Sequence, residues 1–134
     1  MSNFKIVWLD SHSKCHVQSL LSTIIPHLLA FSDANACIDY ILTECSTPET
    51  VFLIVSGSLG LNIWTIIDTL PQLYAVYVYC VNNSNHTQWA QLCHKIGAHR
   101  VFSQEDQLIA KLMTDQEEAS RKVKIDLQSL KWIN

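Results

Sequence analysis

Three short apolar runs stand out along the chain, separated by more polar segments. They are KIVWL from Lys5, VFLIV from Val51 and YAVYVY from Tyr74. Each is rich in β-branched or aromatic residues and lacks the polar alternation of a half-exposed strand, so each predicts a strand buried on both faces. Two shorter runs with polar flanks, HLLAF from His27 and HRVFS from His99, predict strands nearer the edges of the sheet.

Between these runs, apolar residues recur at the spacing of helices. The stripes extend over Val17 to Ile25, Cys37 to Ile41, Ile63 to Leu70, Trp89 to Ile96 and Leu108 to Met113. Ser32 or Asp33 is predicted to cap the second helix and Gly97 to end the fourth. Ser103 and Asp106 have the spacing of a capping box and predict the start of the fifth.

The alternation of strands and helices predicts an α/β fold. Five β-α units joined by short connections imply parallel strands with right-handed crossovers and helices on both faces. The plan is a doubly wound, five-stranded parallel sheet of the flavodoxin-like type, and the order 2-1-3-4-5 places the two polar-flanked strands at its edges. Residues 1–115 form the predicted domain, and residues 116–134 are a charged helical extension or linker.

Composition limits the classes of function. The chain has 134 residues, a net charge of −3 and 49% hydrophobic residues, which suits one compact domain and gives no basic field for nucleic acid. No apolar stretch approaches the roughly 18 residues that span a bilayer, and no signal peptide is visible. Five widely spaced cysteines without a C-x-x-C pair indicate reduced thiols. We therefore expect a cytoplasmic protein without a cofactor or bound metal.

Ligands of this fold bind beyond the carboxyl ends of the strands, so the residues there are the candidates for function. The ligand or degenerate-switch pocket predicted in this way comprises Asp10, Ser11, Ser56, Gly57, Ser58 and Cys80.

With these residues, the chain resembles the receiver domain of two-component response regulators over about residues 4–115. That family has an acidic pair after the first strand, a phosphoacceptor aspartate ending the third, a Thr or Ser ending the fourth and a lysine ending the fifth. Here KIVWLDS retains Asp10 but has Ser11 at the second acidic position, and the phosphoacceptor position is Ser56. The fourth-strand position is Tyr79 or Cys80, and no lysine follows the fifth strand.

These departures change what the resemblance implies. One carboxylate among hydroxyls holds Mg²⁺ weakly, and a serine cannot form the labile acyl phosphate of the family's switch. We therefore expect no aspartyl phosphorylation and no enzymatic activity, and predict a pseudo-receiver that acts as a regulatory or protein-interaction module. Its expected partners are other protein domains, within the same polypeptide or not, or a second copy of the chain.

Four segments of the sequence carry a second resemblance. IVSGSLG, LPQLYAVYVYC, QWAQLCHKI and VFSQEDQLIAKLMTDQ are similar to the N-terminal domain of rotifer multidomain proteins. Those proteins carry tetratricopeptide or kinesin-light-chain-like repeats and an ADP-ribosyltransferase domain. The transferase is a separate part of them, so the resemblance implies an accessory domain and no transferase activity for this chain.

Several alternatives remain at the sequence level. The SGSLG stretch from Ser56 is either a phosphate-binding nest or a plain turn in which glycine adopts positive φ and serine caps the helix. Ser56 could be a hydrolase-type nucleophile with His12 as its base, and Cys80 a reactive thiol. His12 and His16 have a spacing that zinc sites use. The alternative function is a sensor or enzyme for a nucleotide-like small molecule in the strand-end pocket.

Overall fold

The computed structural model describes residues 4–10, 21–25, 27–80 and 86–133. Its five strands form one parallel sheet in the order β2-β1-β3-β4-β5, which confirms the predicted doubly wound, flavodoxin-like α/β plan. The strands are β1 Lys5–Leu9, β2 Leu29–Phe31, β3 Val51–Ser56, β4 Leu73–Tyr79 and β5 Val101–Phe102.

Helices cover both faces of this sheet. They are α1 Ala34–Glu44, α2 Gly57–Ile67, α3 Thr87–Ala90 and α4 Glu105–Ile133, with a 3-10 helix at Ala98–Arg100. Residues 21–24 are also helical. The Asp33 carboxylate accepts a hydrogen bond from the Ala36 N–H at 3.0 Å, so Asp33 is the cap of α1.

The central strands are apolar without alternation because each of their faces lies under helices. On one face, β1 and β3 pack against α1, α2 and the segment 87–96. On the other, they pack against Leu21 and α4. The residues of β1 and β3 on the first face are Val7, Leu9, Val51, Leu53 and Val55, and those on the second are Ile6, Trp8, Phe52 and Ile54.

Two helices differ from the sequence prediction. The stripe from Trp89 to Ile96 forms only the single turn of α3, followed by turns as far as Gly97, which has φ 68°. Trp89, Cys93 and Ile96 of this stripe are still buried, because a succession of turns can present apolar residues to a sheet as a helix does, whereas Leu92 is exposed. The last helix begins at Glu105, two residues after the predicted capping residue Ser103.

Helix α4 is much longer than the strands that it covers. Its 29 residues span about 43 Å, whereas the seven residues of β4 span about 23 Å. Leu108, Leu112, Asp115 and Ala119 are buried on the sheet. The Lys122 ammonium lies 3.3 Å from the Glu49 carboxylate, at the edge of the sheet where the strands begin. The division of the chain into 1–115 and 116–134 stays a prediction.

None of the described helices is long and apolar enough to cross a bilayer.

Candidate functional site

The predicted pocket residues that the structure describes lie at one edge of the sheet, where the strands end. Leu9 of β1 pairs with Val55 of β3, so Asp10, which follows β1, lies at the level of Ser56, the last residue of the neighbouring strand β3. Ser56 pairs with Tyr79 of β4, and Cys80 comes directly after it. The structure thus aligns three of the predicted residues along the carboxyl edge. Ser11 lies outside the described residues.

Asp10 and Cys80 are both held by backbone hydrogen bonds to edge strands. The Asp10 N–H donates to the Phe31 carbonyl at 3.0 Å, and the Cys80 N–H donates to the Phe102 carbonyl at 2.9 Å. Both side chains are half-buried. Because partial burial disfavours a thiolate, it raises the pKa of Cys80, which opposes the proposed reactivity of this thiol.

Ser56 occupies the position before the first residue of α2, yet its hydroxyl makes no capping hydrogen bond. Its Oγ is buried and has no hydrogen-bond partner among the described residues. Within those residues, Gly97 is the glycine with positive φ, so Gly57 and Gly60 are not needed for a left-handed backbone. The plain-turn interpretation of SGSLG was therefore wrong in both of its details, the serine cap and the positive φ.

The two glycines instead make room for side chains from the segment after β4. A Cβ on Gly57 would lie 2.5 Å from Nε2 of His86, and one on Gly60 would lie 2.8 Å from Cη2 of Trp89. The start of α2 is therefore pressed against these two rings. The glycine spacing reflects close packing between elements, which the sequence analysis did not foresee.

His86 and Trp89 form a defined pair. Trp89 Nε1 donates to His86 Nδ1 at 3.0 Å, and the ring planes are nearly perpendicular, at 87°. Since the indole N–H can only donate, Nδ1 must be the acceptor, and the proton of the neutral imidazole is on Nε2. In the sequence, the spacing of three residues between His86 and Trp89 is compatible with such a pair. Nothing in the sequence shows that the two rings contact Gly57 and Gly60.

A second polar cluster lies inside the domain, at Asp115. Tyr77 donates its hydroxyl hydrogen to Asp115 Oδ2 at 2.7 Å, and Arg100 Nε donates to the same oxygen at 3.1 Å. Lys111 Nζ lies 3.1 Å from Oδ1, an ion pair without the geometry of a hydrogen bond. Burial raises the pKa of Asp115, but its contacts with Tyr77, Lys111 and Arg100 outweigh this effect and hold the pKa below its usual value.

This cluster joins α4 to β4 and to the 3-10 helix. Tyr77 is fully buried in the sheet, and its pKa is raised by burial and by its hydrogen bond to Asp115. An aspartate within the apolar stripe of α4 indicates a buried polar cluster, and the sequence analysis did not identify it. Because the carboxylate is fully enclosed and already paired, its role is to fix the helix on the sheet.

Asp68 forms a third polar junction, between the end of α2 and the turns after α3. Its Oδ1 accepts from the His94 N–H at 2.9 Å, and its Oδ2 lies 3.1 Å from His94 Nδ1. Cys93 Sγ lies 3.6 Å from Oδ1. Burial raises the pKa of Asp68, but the hydrogen bonds of His94 and Cys93 outweigh it and lower the pKa. In the described part of the chain, no three His, Cys, Asp or Glu side chains are placed to hold a metal ion. The His12 and His16 pair lies outside the described residues.

Clefts are present at the opposite edge of the sheet, where the strands begin. One of about 460 Å³ is lined by Tyr74, Glu118, Arg121 and Lys122. Another, of about 380 Å³, lies between β1, the start of β2 and Tyr40 of α1. These clefts do not include the predicted pocket residues. The assignment of Asp10, Ser56, Gly57, Ser58 and Cys80 to a pocket stays a prediction.

Comparison with family models, with curated proteins and with solved structures finds no match for this chain.

Proposed function

We propose that the chain is a non-catalytic pseudo-receiver domain that acts as a regulatory or protein-interaction module. The observation that carries the proposal is Ser56, which stands at the position where receivers accept a phosphoryl group. Its hydroxyl is buried and, among the described residues, has no base or other hydrogen-bond partner. A serine in this state is poorly suited to nucleophilic attack, which needs an exposed and activated oxygen.

The packing of the neighbouring turn supports the same proposal. His86 and Trp89 fill the space beside Gly57 and Gly60, which a phosphate-binding glycine loop would leave open for its ligand. Asp10 is the one carboxylate that the sequence offers at the ends of β1 and β3, and Mg²⁺ at such a site usually has more than one. A flavodoxin-like fold is thus combined with a carboxyl edge at which side chains of the domain itself fill the space beside the start of α2.

The surface next to this edge supports contact with protein. Trp89 packs on Gly60, and Cys93 lies near Trp64 and Asp68, so α2 and residues 87–94 run side by side. Leu61 belongs to α2 and Leu92 to the segment 87–94, and they are 48% and 62% exposed. Large apolar side chains that are exposed on adjoining elements are typical of interaction surfaces. We propose other domains, in the same polypeptide or in separate cytoplasmic proteins, as the partners.

The proposal is tested by treating the purified chain with acetyl phosphate and Mg²⁺ and measuring its intact mass. We expect no phosphoryl adduct, because Ser56 is unactivated. A Ser11→Asp, Ser56→Asp variant is the matched control, since it restores the second acidic residue and the phosphoacceptor of the family. A stoichiometric adduct on the wild-type chain would show that the proposal is wrong.

One observation favours a second candidate, a sensor for a small polar ligand. Trp8 Nε1 and Ser56 Oγ are both buried without a hydrogen-bond partner in the described part of the chain. Trp8 pairs with Ile54, and strand alternation puts Ser56 on the same face of the sheet as Ile54. Two unsatisfied polar atoms on one face could hydrogen-bond to a ligand that enters from the carboxyl edge.

Thermal unfolding in the presence of nucleotides and dinucleotides separates the two candidates. A ligand at 100 times its dissociation constant stabilises the fold by about 2.7 kcal/mol, which is readily detected. A shift that Ser56→Ala abolishes would favour the sensor. The absence of any shift would favour the interaction module.

A further inference from the structure

Strand β2 forms one edge of the sheet and, among the described strands, is bonded on one side only. It pairs with β1, and the strand order places no described strand on its other side. Leu29 is 37% exposed and Ala30 is also exposed. Edge strands are commonly protected by lysine, proline or a bulge, and β2, with the sequence Leu-Ala-Phe, has none of them.

The hydrogen bonds of β2 identify which residue faces outward. The Phe31 carbonyl accepts from the Asp10 N–H at 3.0 Å, so the polar backbone groups of Phe31 point toward β1. Successive residues of a strand direct their backbone groups to opposite sides. The N–H and C=O of Ala30 therefore point away from the sheet, toward the free edge.

We propose that β2 pairs with β2 of a second copy of the chain, antiparallel, about a twofold axis through Ala30. This inference rests on the proposed function and names the partner and surface for it. In this register, Ala30 exchanges both backbone hydrogen bonds with the partner subunit's Ala30. Leu29 lies opposite the partner subunit's Phe31, and Phe31 opposite the partner subunit's Leu29. The exposed leucine of each copy is therefore covered by a phenylalanine of the other.

Complementary polar side chains at the two ends of the edge favour a second copy over an unrelated segment, because an imidazole N–H can donate to a carboxylate. His27 and Asp33 each lie three residues from Ala30, on opposite sides. A twofold axis through Ala30 therefore brings His27 toward the partner subunit's Asp33, and the reverse contact occurs at the other end. The Asp33 carboxylate is held in place because its Oδ2 already accepts from Ala36 N–H at 3.0 Å. The edge is thus complementary to itself in its backbone, apolar and polar side-chain groups.

A disulfide tests the register directly. In a hydrogen-bonded antiparallel pair the Cα atoms are about 5.5 Å apart, within the range of about 4.4–6.8 Å that a disulfide requires. Ala30→Cys is made in a background with Cys15→Ser and Cys80→Ser, which leaves the buried thiols Cys37, Cys45 and Cys93. Gln91→Cys in the same background is the control, because Gln91 is exposed on another part of the surface.

We expect mild oxidation to link Ala30→Cys into a dimer at least tenfold faster than Gln91→Cys. Sedimentation of the wild-type chain at concentrations up to about 1 mM, where even a weak dimer is populated, should show dimers. Ala30→Lys should return the chain to monomer, since it places two lysines opposite each other. At a concentration where both chains are monomeric it should not lower the unfolding temperature, because the substitution is on the surface.

Equal rates of cross-linking for the two cysteine variants, or a monomer throughout the concentration range, would overturn the proposal. A dimer that Ala30→Lys leaves intact would also overturn it, because another surface would then hold the copies together. None of these results requires a phosphoryl adduct or a nucleotide-induced shift, so a failure here is distinguishable from a failure of the proposed function.

Discussion

Because Gly60 is closely packed, we expect Gly60→Ala to destabilise the domain, although replacing a helical glycine by alanine usually stabilises a protein. Gly60 is the fourth residue of α2 and is buried between Trp89 and β3. In Gly60→Ala the new Cβ would lie 2.8 Å from Cη2 of Trp89 and 3.2 Å from Cγ1 of Val55. Ordinary carbon contacts are about 3.5–4.0 Å, so at least one neighbour must move.

Two terms of opposite sign decide the result. Replacing glycine by alanine inside a helix stabilises by about 1 kcal/mol, whereas overpacking a close-packed core costs about 1–3 kcal/mol. Trp89 is only 8% exposed and hydrogen-bonded to His86, and Val55 is buried in the central strand β3, so neither can move freely. We expect the overpacking term to win and to reduce the free energy of unfolding by up to about 2 kcal/mol.

The assay is urea unfolding followed by far-UV circular dichroism, which does not depend on the Trp89 fluorophore. Ser58→Ala is the control, because Ser58 is an exposed residue of the same turn and its substitution should change stability by less than about 0.5 kcal/mol. Trp89→Phe removes the Cη2 atom that the new methyl group meets. In that background Gly60→Ala should cost less, by more than about 0.5 kcal/mol, because the two changes are coupled through contact.

A stabilising Gly60→Ala would refute this reasoning, and so would an equal cost in the two backgrounds. The first result would mean that α2 can move away from Trp89. The second would mean that the cost arises elsewhere than in this contact.

Three further predictions concern the polar groups of the core. Ser56→Ala should leave the free energy of unfolding unchanged or raise it by up to about 1 kcal/mol, because no hydrogen bond is lost; a loss of stability in urea would contradict this. Asp115→Asn should destabilise by about 2–4 kcal/mol at pH 7, since Tyr77 and Arg100 lose a charged partner. The pKa of Asp115 lies below 3.8 in the fold, so its contribution is present above about pH 4 and is lost as the pH falls through the lower, folded pKa. The urea midpoints of variant and wild type should therefore converge in acid, and a constant difference would contradict the assignment. Cys80 should react with maleimide at pH 7 more slowly than a free thiol in a Cys15→Ser background, because burial raises its pKa; equal rates would show an accessible thiolate.

The fold was predictable because its main determinants are local. A strand buried on both faces needs a short, continuous apolar run, and the three central strands have one each. The order of the strands followed from their polarity, since β2 and β5, with polar flanks, occupy the edges. The cap of α1 was likewise visible, because an aspartate before a helix accepts a hydrogen bond from the chain only three residues away.

The roles of the glycines were not predictable in this way. Gly57 and Gly60 are needed because His86 and Trp89 approach them from a segment 29 residues further along the chain. The sequence alone does not distinguish a glycine needed for positive φ from a glycine needed for close approach of another element. The aspartate in the core of α4 was ambiguous for a similar reason. Its partners Tyr77 and Arg100 lie on other elements, so only the packing of α4 on the sheet reveals that it is satisfied.

The same nonlocal contacts bear on function. A receiver needs an open carboxyl edge, where carboxylates collect a metal ion and a phosphoryl group can reach the acceptor. In this chain Gly57 lies against the ring of His86, Gly60 lies against the ring of Trp89, and the hydroxyl of Ser56 is buried, so close packing occupies the space beside the start of α2. If the proposed function is right, the described groups that could contact another protein include the exposed side chains of Leu61 and Leu92 and the outer edge of β2.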